Sequence, residues 1–177
     1  MSDFASLDFW YAPDLHVALP PGRETPPGLV AAALPHLREG GCLFNTSGSE
    51  GPPKWVVLEK RAFLHSARAV NALHGLERSD RWGLALPQHH VGGFSIWARA
   101  ALSGAAVIPW TSPHWDPKTC HQWLIDAVIR VVSLVPTQLH DFIALALPPP
   151  PELRLVIVGG GPLATDLLRR ALELGWP

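Results

Sequence analysis

From Cys42 onward, short apolar segments alternate with stretches of helical periodicity, and this alternation constrains the fold more than any other feature. The apolar segments read "CLFNT", "KWVVLE", "RWGLALP", "AAVIP", "VVSLVP" and "LRLVIVGGG". They lack the polar alternation of strands that face water on one side, so they are typical of strands buried on both faces. Because amphipathic stretches follow most of them, the sequence predicts an α/β fold with a parallel-rich sheet and helices on both faces.

The helical stretches carry recognisable apolar stripes and start signals. Residues 61–75 place Phe63, Ala67, Val70 and His74 at helical spacing. Asp116 and Pro117 open the stretch "DPKTCHQWLIDAVIR", where an acidic N-cap followed by proline at the first helical position is favoured. We therefore expect a helix to begin directly after Asp116.

Residues 1–40 differ from the rest of the chain in composition. This segment is rich in proline, at Pro13, Pro20, Pro21, Pro26, Pro27 and Pro35. It predicts only a short helix or turn near 7–10 and a helix near 28–38. The length of 177 residues corresponds to about one domain. We therefore expect a proline-rich lead over residues 1–40 and one domain over residues 41–177.

Charge and hydropathy argue against several classes of partner. The net charge of −1 offers no basic footprint for nucleic acid. No apolar run approaches the roughly 18 residues that would span a membrane, and the N-terminal sequence lacks the pattern of a signal peptide. Cys42 and Cys120 show no metal-type spacing and are expected to be ordinary reduced thiols. These features predict a cytoplasmic protein with no nucleic-acid or membrane partner.

Four segments follow predicted strands and are rich in glycine, proline or polar residues. They are the loop 46–54, "PQHHVGG", "VPTQ" and "GGGPL". Ligands of open parallel sheets bind beyond the carboxyl ends of the strands. We therefore expect these four segments to lie together and to form the functional site.

The loop in "NTSGSEGPPKW" has the chemistry of a phosphate site. Its glycines can turn backbone N–H groups toward an anion, Thr46, Ser47 and Ser49 add hydroxyl donors, and Lys54 adds a positive charge. The pattern of an ordinary P-loop cannot be aligned, because Lys54 follows proline and precedes tryptophan. The alternative is a solvated surface loop without a ligand.

The order of residues in "TSGSEGPPK" resembles the phosphate-binding signature of the adenylate-forming enzymes, the superfamily of acyl-CoA synthetases, adenylation domains and luciferases. The signature reads Thr-Ser-Gly-(Ser/Thr)-(Thr/Glu)-Gly-x-Pro-Lys. Its positions are occupied here by Thr46, Ser47, Gly48, Ser49, Glu50, Gly51, Pro53 and Lys54. The resemblance implies that this loop binds nucleotide and that Lys54 acts in catalysis.

Three further segments resemble the same superfamily in order and spacing. "LPQHHVGGF" is similar to the Pro-x-x-His segment at the acyl pocket, although Gln88 and His89 replace the more usual apolar pair. The resemblance implies that His90 acts in catalysis and contacts substrate, with Gly92 and Gly93 beside it. "SLVPTQL" resembles the turn next to that pocket, which implicates Thr137 and Gln138. "LRLVIVGGGPL" resembles the segment that packs against adenine, here through Gly159, Gly160 and Gly161.

The resemblance covers about residues 41–177 and implies a partial AMP-binding domain. "FNTSGSEGPPK", "LPQHHVGG" and "SLVPTQL" look most like the o-succinylbenzoate–CoA ligases of menaquinone synthesis. The implied reaction activates a carboxylate with ATP and Mg²⁺ and transfers the acyl group to CoA. The family's aromatic-Gly-x-Thr-Glu motif and its C-terminal domain with a catalytic lysine are not present in the 177 residues. We therefore expect the chain alone to be inactive and the missing C-terminal part of the ligase to be its partner.

Each candidate residue also has a plain structural interpretation. Lys54 could be an exposed lysine, His90 a histidine satisfied beneath a turn, and Gly159–Gly161 a tight turn without a ligand. Arg99 could meet an acidic substrate or remain a solvated helix residue. A metal site at His89 and His90 is disfavoured, because adjacent side chains on an extended chain point apart and no metal-binding acid or cysteine lies nearby in sequence.

Two other functions remain open at this point. One is a nucleotide-binding module without catalysis. The other is an unrelated doubly wound domain whose polar loop is incidental, which four motifs in family order argue against.

Overall fold

The computed structural model describes residues 3–46 and 54–177. The chain divides into two compact units. Unit 1 comprises Met1–Leu76 and Pro87–Gly104, and unit 2 comprises Glu77–Leu86 and Ala105–Pro177. The polypeptide therefore leaves unit 1, enters unit 2, returns to unit 1 for one helix and ends in unit 2.

Unit 1 contains a three-stranded sheet in the order β1-β2-β3, with β1 at Leu15–Ala18, β2 at Gly41–Thr46 and β3 at Lys54–Glu59. β1 pairs parallel to β2, whereas β2 and β3 are antiparallel. Residues 47–53 thus connect two adjacent antiparallel strands. The sequence analysis did not predict β1, because its four residues lie in the proline-rich lead.

Four helices accompany this sheet: α1 (Leu7–Tyr11), α2 (Leu29–Ala33), α3 (Lys60–His74) and α4 (Val91–Ser103). A short 3₁₀ helix follows α2 at Leu34–His36. The predicted helix near 28–38 is therefore shorter than expected. The core of unit 1 is aromatic, and its buried rings are Trp10, Phe44, Phe63 and Phe94. These rings meet edge-on or tilted, with centroids 5.4–5.8 Å apart, which suits their electron distribution.

A buried lysine ties the lead to the start of α3. Lys60 is only 1% exposed, and its Nζ donates to Asp14 Oδ1 at 2.6 Å and to the Ala12 carbonyl at 3.3 Å. The same nitrogen lies 4.1 Å from the centre of the Phe9 ring. These contacts offset the cost of removing the ammonium group from water.

Unit 2 contains a four-stranded, fully parallel sheet in the order β5-β4-β6-β7. Its strands are β4 (Arg81–Leu84), β5 (Ala106–Pro109), β6 (Val131–Leu134) and β7 (Leu155–Val158). Every residue of β6 is buried, as expected for a central strand covered on both faces. Three helices connect or follow the strands: α5 (Pro117–Asp126), α6 (Pro136–Ala144) and α7 (Thr165–Glu173). The Asp116 carboxylate accepts from the Thr119 amide at 2.7 Å, which confirms the predicted N-cap.

A buried carboxylate holds the amino ends of three strands together. The Asp80 side chain is fully buried and accepts from Arg154 Nε at 2.8 Å, from Arg154 Nη2 at 2.5 Å and from Arg130 Nε at 3.3 Å. Burial is the largest single influence and would raise the pKa of Asp80, but the hydrogen bonds from Arg154, the Glu77 amide and Arg130, together with the charge of Arg154, outweigh it and hold this pKa below its usual value. Asp80 is therefore an ionised structural anchor.

The prediction of an α/β fold with largely parallel strands is confirmed. The structure differs in having two sheets and in pairing β2 with β3 antiparallel. Cys42 and Cys120 are free and buried, and burial raises the pKa of each thiol to about 12. Both thiols are therefore protonated near neutral pH and unreactive. Within the described part of the chain, no helix combines the length and apolar character needed to span a membrane.

Candidate functional site

The ends of the phosphate-type loop are fixed by the hairpin of unit 1. Thr46 is the last residue of β2, Lys54 is the first of β3, and the two are paired across the strands. Thr46 Oγ1 donates to the Lys54 carbonyl at 3.1 Å, and both residues are exposed. The remaining predicted loop residues lie outside the described residues: Ser47, Gly48, Ser49, Glu50 and Gly51. Their roles in nucleotide binding stay predictions.

His90 stands at the junction between a tight turn and α4. Its amide donates to the Pro87 carbonyl at 3.1 Å, and its carbonyl accepts from Phe94 N at 2.9 Å. The His90 ring is exposed and makes no capping hydrogen bond to the helix. Gly92 is exposed in the first turn, whereas Gly93 is buried. The backbone is thus fixed by the turn while the imidazole stays available to a ligand.

The two histidine rings of this turn are close together. The ring centres of His89 and His90 lie 4.4 Å apart at 47°. The premise that the adjacent side chains point apart is wrong, because a turn rather than an extended strand precedes α4. Burial lowers the pKa of His89, and the neighbouring His90 lowers it further, so His89 is neutral near pH 7. Across residues 3–46 and 54–177, no group of three His, Cys, Asp or Glu side chains could hold a metal ion.

A cavity of about 520 Å³ lies beside the histidine turn in unit 1. Its size falls within the range of small-molecule sites. Its wall combines apolar and polar side chains: Ala18, Leu19, Pro20, Arg23, Glu24, Pro26, Asn45, Trp55, His89 and His90. Asn45 and Trp55 immediately flank the predicted loop, so the motif position could have identified them. Arg23 and Glu24 carry no comparable sequence signal, and the sequence analysis missed them.

A smaller cavity of about 240 Å³ brings the loop anchor and the histidine together. It is lined by Phe44, Asn45, Thr46, Val56, Leu58, His90 and Val91. Asn45 and His90 line both cavities. Thr46, which begins the predicted loop, and His90, which ends the turn, therefore border the same space within unit 1 although they are far apart in sequence.

Arg99 occupies a different position on α4. Nine residues separate it from His90, which corresponds to about 14 Å along a helix. Arg99 is half-buried, and burial lowers its pKa. It lines neither cavity, and its carbonyl accepts from Asn71 Nδ2 at 2.9 Å. Contact between Arg99 and substrate therefore stays a prediction, and its position outside both cavities does not add support for it.

In unit 2, the Gln138 side chain makes hydrogen bonds to the protein backbone. Its Oε1 accepts from the Val135 amide at 3.0 Å, and its Nε2 donates to the Ala85 carbonyl at 3.3 Å. Valine has no side-chain acceptor, so only the glutamine half of a capping box is present. Gln138 thereby links the start of α6 to the residue that follows β4, while the neighbouring Thr137 is exposed. Substrate contact by either residue stays a prediction.

The glycine segment after β7 forms a close turn. Gly159 N donates to the Leu134 carbonyl at 3.0 Å, and Gly160 has φ +81°, a conformation that favours glycine. A Cβ on Gly160 would lie 3.3 Å from Val135 Cγ1. These constraints account for Gly160 without a ligand. Gly159, Gly160 and Gly161 are all exposed, so contact with adenine is sterically open and stays a prediction.

Comparison with known proteins identifies relatives whose similarity extends over most of the chain. The sequence model of the family described as "AMP-binding enzyme" matches residues 27–176. The 2-succinylbenzoate–CoA ligase of Bacillus cytotoxicus is 31% identical over 143 residues, which cover 80% of this chain and 29% of that protein. The corresponding ligase of Geobacillus kaustophilus is 31% identical over 168 residues, which cover 88% of this chain and 34% of that protein.

Solved structures show the same relationship. The o-succinylbenzoate coenzyme A synthetase (MenE) of Bacillus subtilis, in complex with ATP and magnesium ion, superposes with a TM-score of 0.69 at 27% identity. The match covers 77% of this chain and 28% of that protein. Escherichia coli MenE with a bound analogue of OSB-AMS gives a TM-score of 0.62 at 32% identity, over 76% of this chain and 28% of that protein. The chain thus spans about a third or less of the length of these relatives.

Proposed function

Because the chain belongs to the AMP-binding enzyme family, we propose that it forms part of a ligase that activates a carboxylic acid with ATP and transfers it to CoA. In the first step, a carboxylate oxygen attacks the α-phosphorus of ATP, and the bond to the leaving pyrophosphate breaks. In the second step, the CoA thiol attacks the acyl carbon, loses its proton and displaces AMP. The relatives suggest 2-succinylbenzoate as the acid.

One observation carries this proposal. Thr46 and His90, which come from two separate motifs, line one cavity in unit 1, and Thr46 is paired with Lys54. The carboxylate and the nucleotide phosphates must meet within bonding distance during adenylate formation. We propose that the two groups meet at the cavity that Thr46 and His90 line. Positioning and electrostatic stabilisation of the leaving group supply most of the catalysis in phosphoryl chemistry of this kind.

The proposed roles follow from the chemistry of each group. The hydroxyl of Thr46 and the ammonium group of Lys54 would contact phosphate oxygens, together with Ser47, Gly48, Ser49, Glu50 and Gly51. His90 would contact the acid beside Gly92 and Gly93. Mg²⁺ would neutralise phosphate charge, but the described residues offer no cluster of ligands for it, so we assign it no residue.

A second proposal concerns the extent of the chain. Since it spans about 29% of a relative's length, we propose that residues 1–177 bind nucleotide but do not complete the reaction alone. The remaining part of such a ligase would supply further groups. Carboxylate-dependent AMP formation by the purified chain would contradict this second proposal and leave the first intact.

Direct titration of the purified chain with ATP tests nucleotide binding. We expect saturable binding of ATP and of pyrophosphate, and weaker binding of adenosine, which lacks phosphates. Preferential binding of adenosine would contradict a phosphate role for the loop. The absence of binding by all three compounds would contradict the nucleotide function of this chain.

A further inference from the structure

A further cavity of unit 1, of about 320 Å³, shares no lining residue with the space that Thr46 and His90 border. It adjoins the 520 Å³ cavity, because Arg23 and His89 line both. Its polar lining consists of side chains that carry nitrogen donors: His16, Arg23, Gln88 and His89. Within the described part of the chain, no aspartate or glutamate lines it. The composition of this lining therefore favours an anion.

The four nitrogen-bearing side chains have no partners of their own. Across residues 3–46 and 54–177, none of them makes a hydrogen bond or an ion pair. The His16 ring is nevertheless fixed, because it stacks on Phe94 with centroids 5.4 Å apart and an angle of 11°. His16 and His89 are half-buried, whereas Arg23 and Gln88 are exposed. Their donors therefore stay available to a ligand in the cavity.

Both imidazoles of this cavity are neutral near pH 7. Burial is the main influence that lowers the pKa of His16, the Lys60 ammonium group lowers it further, and the Asp14 carboxylate raises it by less. Burial and then the neighbouring His90 lower the pKa of His89. The guanidinium is therefore the permanent charge of this lining. An anion that enters the cavity meets one cation and three uncharged side chains that can donate.

The number of separate donors favours a phosphoryl group over a carboxylate. A carboxylate offers two oxygens, whereas a phosphate monoester carries a charge of about −1.5 to −2 at pH 7 and three strong acceptor oxygens. The Phe4 and Phe94 rings also line the cavity, and its volume lies at the lower end of the range of small-molecule sites. Inorganic phosphate would leave these rings in contact with water, whereas an ester with a small apolar body would cover them.

This lining does not follow the family pattern. Seven of its ten residues precede residue 27, where the family match begins. Gln88 and His89 lie within the match, but they replace the more usual apolar pair. All four donors thus occupy positions that lie outside the matched region or depart from the pattern. The cavity is therefore a feature of this chain.

We propose that the 320 Å³ cavity is a binding site for small phosphate monoesters, with Arg23, His16, Gln88 and His89 as donors. The ligand would bind apart from ATP, whose phosphates we assign to the loop that begins at Thr46. No covalent step takes place at this site. The inference goes beyond the proposed ligase function and does not depend on it.

Titration of the 177-residue chain with phenyl phosphate at pH 7 tests the site, by calorimetry and by the NMR signals of the histidine rings. We expect saturable binding, about tenfold weaker binding of benzoate and no binding of phenol, which lacks the anion. Bound phenyl phosphate should raise the pKa of His16 and of His89, because a nearby anion favours protonated imidazole. The ring signals of His65, an exposed histidine of α3, should stay unchanged.

Four variants make the test specific. Arg23→Gln should weaken binding of phenyl phosphate about tenfold or more, as expected for the loss of a charged hydrogen bond. His16→Phe removes the ring nitrogens but keeps an aromatic ring against Phe94, and Gln88→Leu introduces an apolar residue at an exposed position. Both should also weaken binding while the fold is retained. Arg38→Gln is the matched control, since Arg38 is an exposed arginine of the lead that does not line the cavity.

Three results would overturn the inference. The first is equal affinity for phenyl phosphate in the native chain, Arg23→Gln and His16→Phe, including no binding by any of them. The second is tighter binding of benzoate than of phenyl phosphate, which would assign the cavity to a carboxylate. The third is a loss of phenyl phosphate affinity in Lys54→Ala as large as in Arg23→Gln, which would place the phosphoryl group at the loop. ATP titration of the same samples separates the two conclusions, because retained ATP binding leaves the proposed function standing when this inference fails.

Discussion

Polar residues at the strand ends have different partners in the two units. In unit 2, both ends of the Gln138 amide bond to backbone groups, and the Asp80 carboxylate is enclosed by two arginines. In unit 1, Asn45 and His90 line cavities, and the His90 ring makes no capping bond. Polar residues near strand ends thus complete the fold in unit 2 and line cavities in unit 1.

This difference separates structural from functional candidates. When a side chain makes hydrogen bonds within the protein, its removal lowers the free energy of unfolding, because its partners are left unsatisfied. An exposed side chain beside a cavity contributes little to folding, and its removal is expected to affect binding. Substitutions in unit 2 should therefore lower stability, whereas substitutions beside the unit 1 cavities should weaken binding. Four predictions test this contrast, from the largest expected effect to the smallest.

The largest effect is expected at Asp80 in unit 2. Asp80→Ala removes the buried anion to which Arg130 and Arg154 donate, which should cost about 3–5 kcal/mol of the free energy of unfolding. For a chain of this size, that corresponds to a fall in Tm of roughly 6–20 °C. Thermal and urea unfolding followed by circular dichroism measure it. Asp166→Ala is the control, because Asp166 is 66% exposed in its pair with Arg169 and its loss should cost less than about 1 kcal/mol.

The next effect concerns binding by unit 1. Lys54→Ala should weaken ATP and pyrophosphate binding about 10- to 150-fold, as expected for the loss of a charged contact worth about 1.5–3 kcal/mol. Because Lys54 is exposed, its free energy of unfolding should change by less than about 0.5 kcal/mol.

Lys118→Ala provides the matched control, since Lys118 is an exposed lysine of unit 2. It should change neither affinity nor stability. Unaltered ATP affinity in Lys54→Ala would identify the loop as structural, and so would unfolding of that variant.

A paired substitution compares the two turns directly. Gln138→Ala should lower the free energy of unfolding by about 1–2 kcal/mol, because it removes a helix cap and leaves backbone groups without their partners. His90→Ala should change it by less than about 0.5 kcal/mol. Chemical denaturation of both variants measures the difference. Equal destabilisation would mean that the His90 turn is as structural as the Gln138 turn.

The smallest effect is a difference in acid sensitivity. Burial lowers the pKa of His16 and of His89 in unit 1, so the unfolded chain binds protons more readily than the folded chain. The stability that depends on neutral histidine is therefore present above about pH 6.5 and declines as the pH falls below it. In unit 2, the lowered pKa of Asp80 acts in the same direction but at a lower pH, because its contribution persists until the pH falls below 3.8.

Hydrogen exchange measured residue by residue across this pH range resolves the two units. We expect protection in unit 1 to decrease first on acidification. His16→Phe should reduce that decrease, since a phenyl ring can take the place of the imidazole stacked on Phe94 at 5.4 Å. Equal loss of protection in both units near pH 6 would contradict the assignment to the histidines.

Local sequence patterns predicted most of the secondary structure because they act over short distances. Apolar runs marked β2–β7, the stripe of Phe63 and Ala67 marked α3, and Asp116 with Pro117 marked the start of α5. β1 was missed because proline and charged neighbours hide a four-residue strand whose pairing with β2 is a long-range contact. The predicted site residues that the structure describes fall into two groups: Thr46 and His90 border one cavity, whereas Gln138 and Gly160 have structural partners.

The sequence by itself determined the α/β class, the order of β2–β7 and of the helices between them, and the family, since these depend on periodicity and on motifs of adjacent residues. Only the tertiary structure decided which polar residues face a cavity and which satisfy backbone groups, because that depends on partners far away in the chain. It also divided the strands between two sheets and brought Arg23 and Trp55, more than thirty residues apart in the printed sequence, to the lining of one cavity. Burial and hydrogen bonding arise from the packed arrangement as a whole, and no local pattern contains them.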